Sequence, residues 1–139
     1  LIIRFLSSII GTQEIPNPKN RIPRENIMYS KEHKTLAISP LEPDIWLTTV
    51  QDTNSMDGLL DYGHTVILTN SFKHGDLQVG DIIVFEIPDW QGTVIHRIIE
   101  IGNDAQGGIY RTKGDNNAYP DEWLLRDENI KWVCLGIIY

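Results

Sequence analysis

Gly80-Asp81-Ile82-Ile83-Val84-Phe85-Glu86, then Ile87-Pro88-Asp89-Trp90-Gln91-Gly92, then Thr93-Val94-Ile95-His96-Arg97-Ile98-Ile99-Glu100-Ile101, is the stretch on which the fold turns. Two runs rich in β-branched and apolar residues flank a short segment carrying Pro and Gly, which reads as strands around a turn. Trp90, close to Pro88, falls on an exposed hairpin tip. The same texture recurs on both sides. Candidate strands cover 45–51, 65–69, 81–86, 93–101, 108–113 and 130–138, with Gly75-Asp76, Gly80-Asp81 and Gly102-Asn103 supplying turns. No long 3.6-residue periodicity follows the first segment. The expectation is a mostly β domain of curled antiparallel sheets, forming a partly open barrel-like core.

Upstream the texture differs. Pro16, Pro18, Pro23, Pro40 and Pro43, interspersed with Asn17, Asn20 and Asn26, make residues 11–44 an irregular arm. A short helical turn is weakly signalled over 24–34. In residues 1–10, Arg4, Ser7 and Ser8 share a helical spacing with Gly11 and leave the other face apolar, as in a short amphipathic helix. That helix docks on the domain or on a partner, or it associates with a membrane. The expected division is 1–44 for helix and arm, and 45–139 for the β domain. The chain opens on Leu1, so an upstream segment holding an anchor or another domain is one reading of its start.

Composition narrows the function classes. The chain has 139 residues, 41% hydrophobic and 22% charged, enough for one good core. Its net charge of -7 disfavours binding to nucleic acid, which needs clustered Lys and Arg. The single cysteine, Cys134, excludes an internal disulfide and, within Trp132-Val133-Cys134-Leu135, reads as a packed core thiol. No run approaches the roughly 18 apolar residues needed to span a bilayer. His64 and His74, with Asp57, Asp61 and Asp76, fit no metal-ligand spacing and read as exposed turn residues. Trp46, Trp90, Trp123 and Trp132 read as core or edge-packing side chains. No metal and no cofactor is expected.

Three segments carry chemistry. Ser55, in Asn54-Ser55-Met56-Asp57, leaves a strand-like run for the turn Asp57-Gly58, where a hydroxyl and its own N–H can both face a substrate. His96 shares a strand face with Val94 and Ile98 while Arg97 points to the other face. An imidazole held by a sheet has the fixed position and the titration range of a general base. Alone, each residue has a plain structural reading: Ser55 as a turn cap, His96 as a satisfied core histidine. Lys113-Gly114-Asp115-Asn116-Asn117, continuing to Asp121, begins like a calcium loop, but Tyr119 and Pro120 occupy its fifth and sixth positions. It reads as an Asn/Asp-rich turn.

Taken together and in order, Asn54-Ser55-Met56, Gly80 to Phe85, Val94 to Ile99 and Lys113 to Asn117 with Asp121 resemble the type I signal peptidases. The likeness is to the archaeal and endoplasmic-reticulum branch, which uses His where the bacterial branch uses Lys, and it covers about residues 45–139. It implies Ser55 as nucleophile and as one oxyanion donor through its N–H, His96 as general base and acid, and Asp121 as the group that orients the imidazole, with Asp115 next in line. Asn54 and Met56 would contact substrate. The segment Ser55-Met56-Asp57-Gly58 departs from the usual Ser-Met-x-Pro of that family. Together with Leu59-Leu60-Asp61-Tyr62-Gly63, it is also similar to the LexA and UmuD self-cleaving proteins, which use a Ser–Lys dyad.

The leading expectation is therefore a serine endopeptidase acting on a peptide or protein substrate. A LexA-like domain that cuts its own arm, and a non-catalytic peptide-binding or assembly module, are the alternatives. The first would place the protein at a membrane, through residues 1–10 or an upstream segment; the second would place it in the cytoplasm.

Overall fold

The computed structural model describes residues 14–39 and 44–139; the amphipathic helix expected over residues 1–10 lies outside them. The described strands are β1 (Ile27–Ser30), β2 (Thr35–Ile38), β3 (Ile45–Thr49), β4 (Thr65–Thr69), β5 (Ile82–Glu86), β6 (Thr93–Asp104), β7 (Gly107–Lys113), β8 (Leu125–Arg126) and β9 (Ile130–Ile138). Strands β3 to β9 form one antiparallel sheet in the order β3-β4-β9-β5-β6-β7-β8, and β1-β2 form a separate two-stranded sheet. The domain is mostly β, as expected, and its large sheet stays open, with β3 and β8 at the edges. Among the described residues no helix is long and apolar enough to cross a membrane.

The sheet is organised around β5. Its run Ile82-Ile83-Val84-Phe85 lacks polar alternation because both faces are covered. Ile83 and Phe85 pack with Ile98, Leu125 and Val133, while Ile82 and Val84 pack with Met56, Leu60, Val66 and Leu68. Phe85 is fully buried; cutting it back to Ala would cost about 3–5 kcal/mol, transfer and cavity combined. The two clusters meet through β5, so one strand locks the two halves of the core.

The arm is more ordered than its prolines suggest. Only Arg24–Asn26 forms the helical turn expected over 24–34. The following Ile27-Met28-Tyr29-Ser30 and Thr35-Leu36-Ala37-Ile38 pair as a hairpin. Lys34 takes a left-handed φ of 50° in its turn, and the Ser30 hydroxyl accepts the His33 N–H. Paired β-branched and aromatic residues outweigh an isolated helical turn, which is costly to nucleate. The expected Gly102-Asn103 turn also moves: both residues lie inside β6. The reversal falls at 104–107, where Asp104 accepts the Gln106 N–H and Gly107 supplies a φ of +118°.

Residues 16–21 are strapped against the start of β5. Gly80 has φ +104°, and a Cβ there would stand 2.1 Å from the Asn17 carbonyl oxygen. Asp81, 1% exposed, accepts from the Lys19 N–H, the Gln78 N–H and the Arg21 guanidinium. The Gly-Asp pair that read as a turn is therefore also the anchorage of the strap.

Candidate active site

Ser55 follows β3 in a loop whose backbone is tightly specified. Asn54 takes a left-handed φ of 56°, which Asn tolerates better than most residues. Its carbonyl accepts the Asn116 side-chain amide at 3.0 Å, and the Ser55 carbonyl accepts the Asn116 N–H at 3.0 Å. Met56, 2% exposed, packs in the core, and its sulfur accepts the Asp115 N–H. Burial removes Met56 from the expected substrate contacts; it anchors the loop instead. The segment Gly114 to Asn116 thus cradles the Ser55 loop from below.

The Ser55 hydroxyl is half-buried and lies 3.4 Å from the Thr53 hydroxyl. The Ser55 N–H donates no hydrogen bond to any described residue, so it is free to serve a ligand.

His96 occupies the buried face of β6, 5% exposed, with Phe85 edge-on to its ring at 6.2 Å. Its Nδ1 is 2.7 Å from Asp121 Oδ2. A carboxylate oxygen accepts, so Nδ1 carries a hydrogen, and in the neutral ring that leaves Nε2 as the acceptor. Nε2 has no hydrogen-bond partner among the described residues. The same Asp121 oxygen accepts the Thr112 hydroxyl at 2.6 Å, and the Asp121 N–H donates to the Thr112 carbonyl at 2.9 Å.

Asp115 is placed elsewhere. Both its oxygens bind the Arg97 guanidinium, at 2.8 and 2.7 Å. Arg97 points away from His96 because consecutive residues of a strand face opposite sides. Its Nη1 donates to the Pro16 and Gly80 carbonyls. Asp115 therefore does not stand beside the imidazole as the second orienting carboxylate. It fixes the cradle to the sheet and, through Arg97, to the strap.

Ser55 and His96 line one cleft of about 1010 Å³. They share it without a mutual hydrogen bond, and such contacts often close only when substrate arrives. All four tryptophans line this cleft as well, Trp46 and Trp90 at its exposed rim. Trp123 and Trp132 also pack against the core clusters and Trp46 lies on the edge strand β3, as their core or edge reading expected; their shared place on the cleft wall is what the sequence did not show. Two free strand edges border the cleft. β3 ends the sheet, and β6 pairs with β5 from Thr93 but with β7 only from Arg97 onward. Among the described residues the backbone of 93–96 is therefore unpaired on its β7 side.

A second hollow, of about 490 Å³, is lined by Pro16, Asn17 and Lys19 of the strap together with Asp57, Arg97 and Cys134. Burial pushes the Cys134 thiol up to about 11, in keeping with a packed rather than a reactive cysteine. His64 and His74 are half-buried rather than exposed, against Tyr139 and Phe72. Among the described residues no group of three or more His, Cys, Asp or Glu is placed to hold a metal ion.

Comparison with known proteins gives one consistent answer. The chain is 32% identical over 97 residues to signal peptidase I W of Bacillus subtilis, covering 68% of this chain and 50% of that protein. It is 32% identical over 82 residues to the human signal peptidase complex catalytic subunit SEC11C, covering 58% of this chain and 42% of that one. Against the Dictyostelium discoideum subunit sec11 the identity is 36% over 74 residues, 46% of this chain and 41% of the relative. The chain thus spans half or less of the length of these relatives. No family model and no solved structure matches it.

Proposed function

From the premise that this chain is a relative of the type I signal peptidases, we propose that it is a serine endopeptidase using Ser55 and His96. The observation that carries the reading is the His96–Asp121 pair at 2.7 Å, with the imidazole lining the same cleft as the Ser55 hydroxyl.

The chemistry follows from the tautomer. With Nδ1–H given to Asp121, His96 Nε2 takes the Ser55 hydroxyl proton as Oγ attacks the peptide carbonyl. The negative charge developing on the carbonyl oxygen meets the Ser55 N–H, and the Thr53 hydroxyl, 3.4 Å from that of Ser55, is a candidate second donor. As the C–N bond breaks, His96 returns the proton to the leaving amine and an acyl-enzyme remains on Ser55. Water, deprotonated by His96, then releases the acid and restores the hydroxyl. Asp121 holds the ring in place and stabilises the imidazolium at each stage.

Substrate enters as an extended strand between β3 and residues 93–96 of β6. The unpaired edges of both strands offer main-chain hydrogen bonds that demand no particular sequence. Kinship with signal peptidases suggests small side chains before the scissile bond. Asn54, exposed beside Ser55, remains a candidate substrate contact.

The test is cleavage of a signal-peptide-like substrate by wild type, Ser55→Ala and His96→Ala. Loss of turnover in both variants with unchanged folding supports the mechanism, and retention in both overturns it. In the self-cleaving alternative the arm must reach Ser55. Residues 16–19 are instead tied to Asp81 and Arg97 and line the other hollow, an arrangement that favours action on separate substrates.

A further inference from the structure

β7 alternates strictly. Gly108, Tyr110 and Thr112 face the core, while Arg111 faces out. Tyr110 packs with the apolar cluster around Phe85 and Ile98, and its hydroxyl is spent on Asp127. Thr112 continues that row at 0% exposure, where Val would fill the same space without a hydroxyl to satisfy. Burying a hydroxyl is unfavourable unless it finds a partner. Its one hydrogen-bond partner here is Asp121 Oδ2, the oxygen that also receives His96 Nδ1.

We propose that Thr112 is a positioning residue of the catalytic relay, setting the Asp121 carboxylate so that one chosen oxygen serves His96. The inference rests on the peptidase reading for its kinetic consequence, though not for its geometry. A carboxylate bound to a single donor can turn about its last torsion, which is broad. Here the Asp121 backbone N–H is fixed on the Thr112 carbonyl, and its Oδ2 on the Thr112 hydroxyl. One residue on the strand beside β6 therefore holds Asp121 at two points, main chain and side chain. The register places Thr112 opposite Ile98, two residues along from His96 on the same face of β6. The sheet thus fixes the base and the residue that aims its orienter in a single frame. Groups supporting a reactive side chain in this way need their own geometry locked by packing and hydrogen bonds.

The experiment compares Thr112→Val and Thr112→Ser with wild type. Thr112→Val is expected to lower kcat roughly 10- to 100-fold, by analogy with the range found for outer partners of metal-binding side chains, with KM changed by less than about twofold. Thr112→Ser, which keeps the hydroxyl, restores most of the rate. The second readout is the downfield proton resonance of His96 Nδ1–H, assigned by its loss in His96→Ala. It is expected in wild type and Thr112→Ser, and shifted or broadened away in Thr112→Val. An unchanged resonance and kcat in Thr112→Val overturn the inference. If Thr112→Val fails to fold, Thr112→Ser decides: full folding with a lost resonance or rate overturns it equally. A wild type that shows the resonance, loses it in Thr112→Val and cleaves no peptide would sink the peptidase reading while leaving the positioning role intact.

Discussion

Gly114 passes so close under Ser55 that a Cβ at position 114 would lie 2.5 Å from the Ser55 carbonyl oxygen. The same Cβ would meet the Asn117 side chain at 2.7 Å. Glycine is required here for close approach, and the approach is what lets Asn116 bind the Ser55 loop twice. Gly114→Ala is therefore expected to displace Ser55 by pushing on backbone, which cannot swing aside. The cost in stability should be about 1–3 kcal/mol, as for overpacking, whereas kcat should fall by far more than stability implies. Thermal unfolding and steady-state kinetics on one preparation check the contrast.

Asp121 should matter through orientation rather than binding. Asp121→Asn nearly preserves shape, but its amide can give His96 Nδ1 a donor where an acceptor is needed, favouring the wrong tautomer. By analogy with the serine-protease triad, kcat should fall roughly 10³- to 10⁴-fold with little change in KM. Comparable rates for Asp121→Asn and wild type would show that the imidazole needs no orienting carboxylate.

Thr53 offers a milder effect. Its hydroxyl is 3.4 Å from that of Ser55 and lines the same cleft. If it donates to the oxyanion, Thr53→Val lowers kcat by roughly 10²-fold, the low end for losing one such donor, and Thr53→Ser restores it. Thr53 is exposed, so unfolding curves of the variants should overlay wild type.

Much of this was legible in the sequence because β structure writes itself locally. The six expected strands are all present, and those at 65–69 and 130–138 keep their bounds. Period-two alternation fixed which face His96 shares with Ile98. Only the family resemblance put Asp121 ahead of Asp115 as the partner of His96, since both carboxylates lie in one loop and Arg97 and His96 are neighbours in another strand. Spacing alone ranks them equally; the sheet sends Arg97 and His96 to opposite faces and separates the two. The burial of Met56 and the gathering of the tryptophans around one cleft were hidden for a related reason. Whether an apolar side chain faces core or cleft depends on loops that cross from elsewhere in the chain.

Arg97 joins three parts of the molecule, and its removal should show in all of them. It is 5% exposed and bound to Asp115, Pro16 and Gly80. Arg97→Met leaves the Asp115 charge buried without its partner, at an expected cost of about 3–5 kcal/mol, measurable by urea unfolding. The strap should also loosen, so limited proteolysis should cut within residues 15–22 before the β domain unfolds. Stability within about 1 kcal/mol of wild type, below the ordinary cost of breaking a buried pair, would mean that the strap is held by its contacts to Asp76 and Asp81.

Stability should fall in alkali, and Cys134 sets where the fall begins. Burial raises its thiol from an ordinary 9.0 to about 11 in the folded protein. Between those values the unfolded chain gives up a proton that the native state keeps, so unfolding becomes easier as pH rises. The contribution is complete below pH 9 and lost by about pH 11, and amounts to at most about 3 kcal/mol. Tyr110 adds to the loss at the upper end, because burial and the Asp127 carboxylate raise its hydroxyl above the ordinary 10.0. Cys134→Ala should therefore flatten the stability profile between pH 9 and 10 and lessen the decline above it, which Tyr110 still sustains. Urea midpoints taken at half-unit steps from pH 8 to 11 resolve the two. A wild-type curve that is already flat below pH 10 would mean that water reaches the thiol, against its packed position on β9.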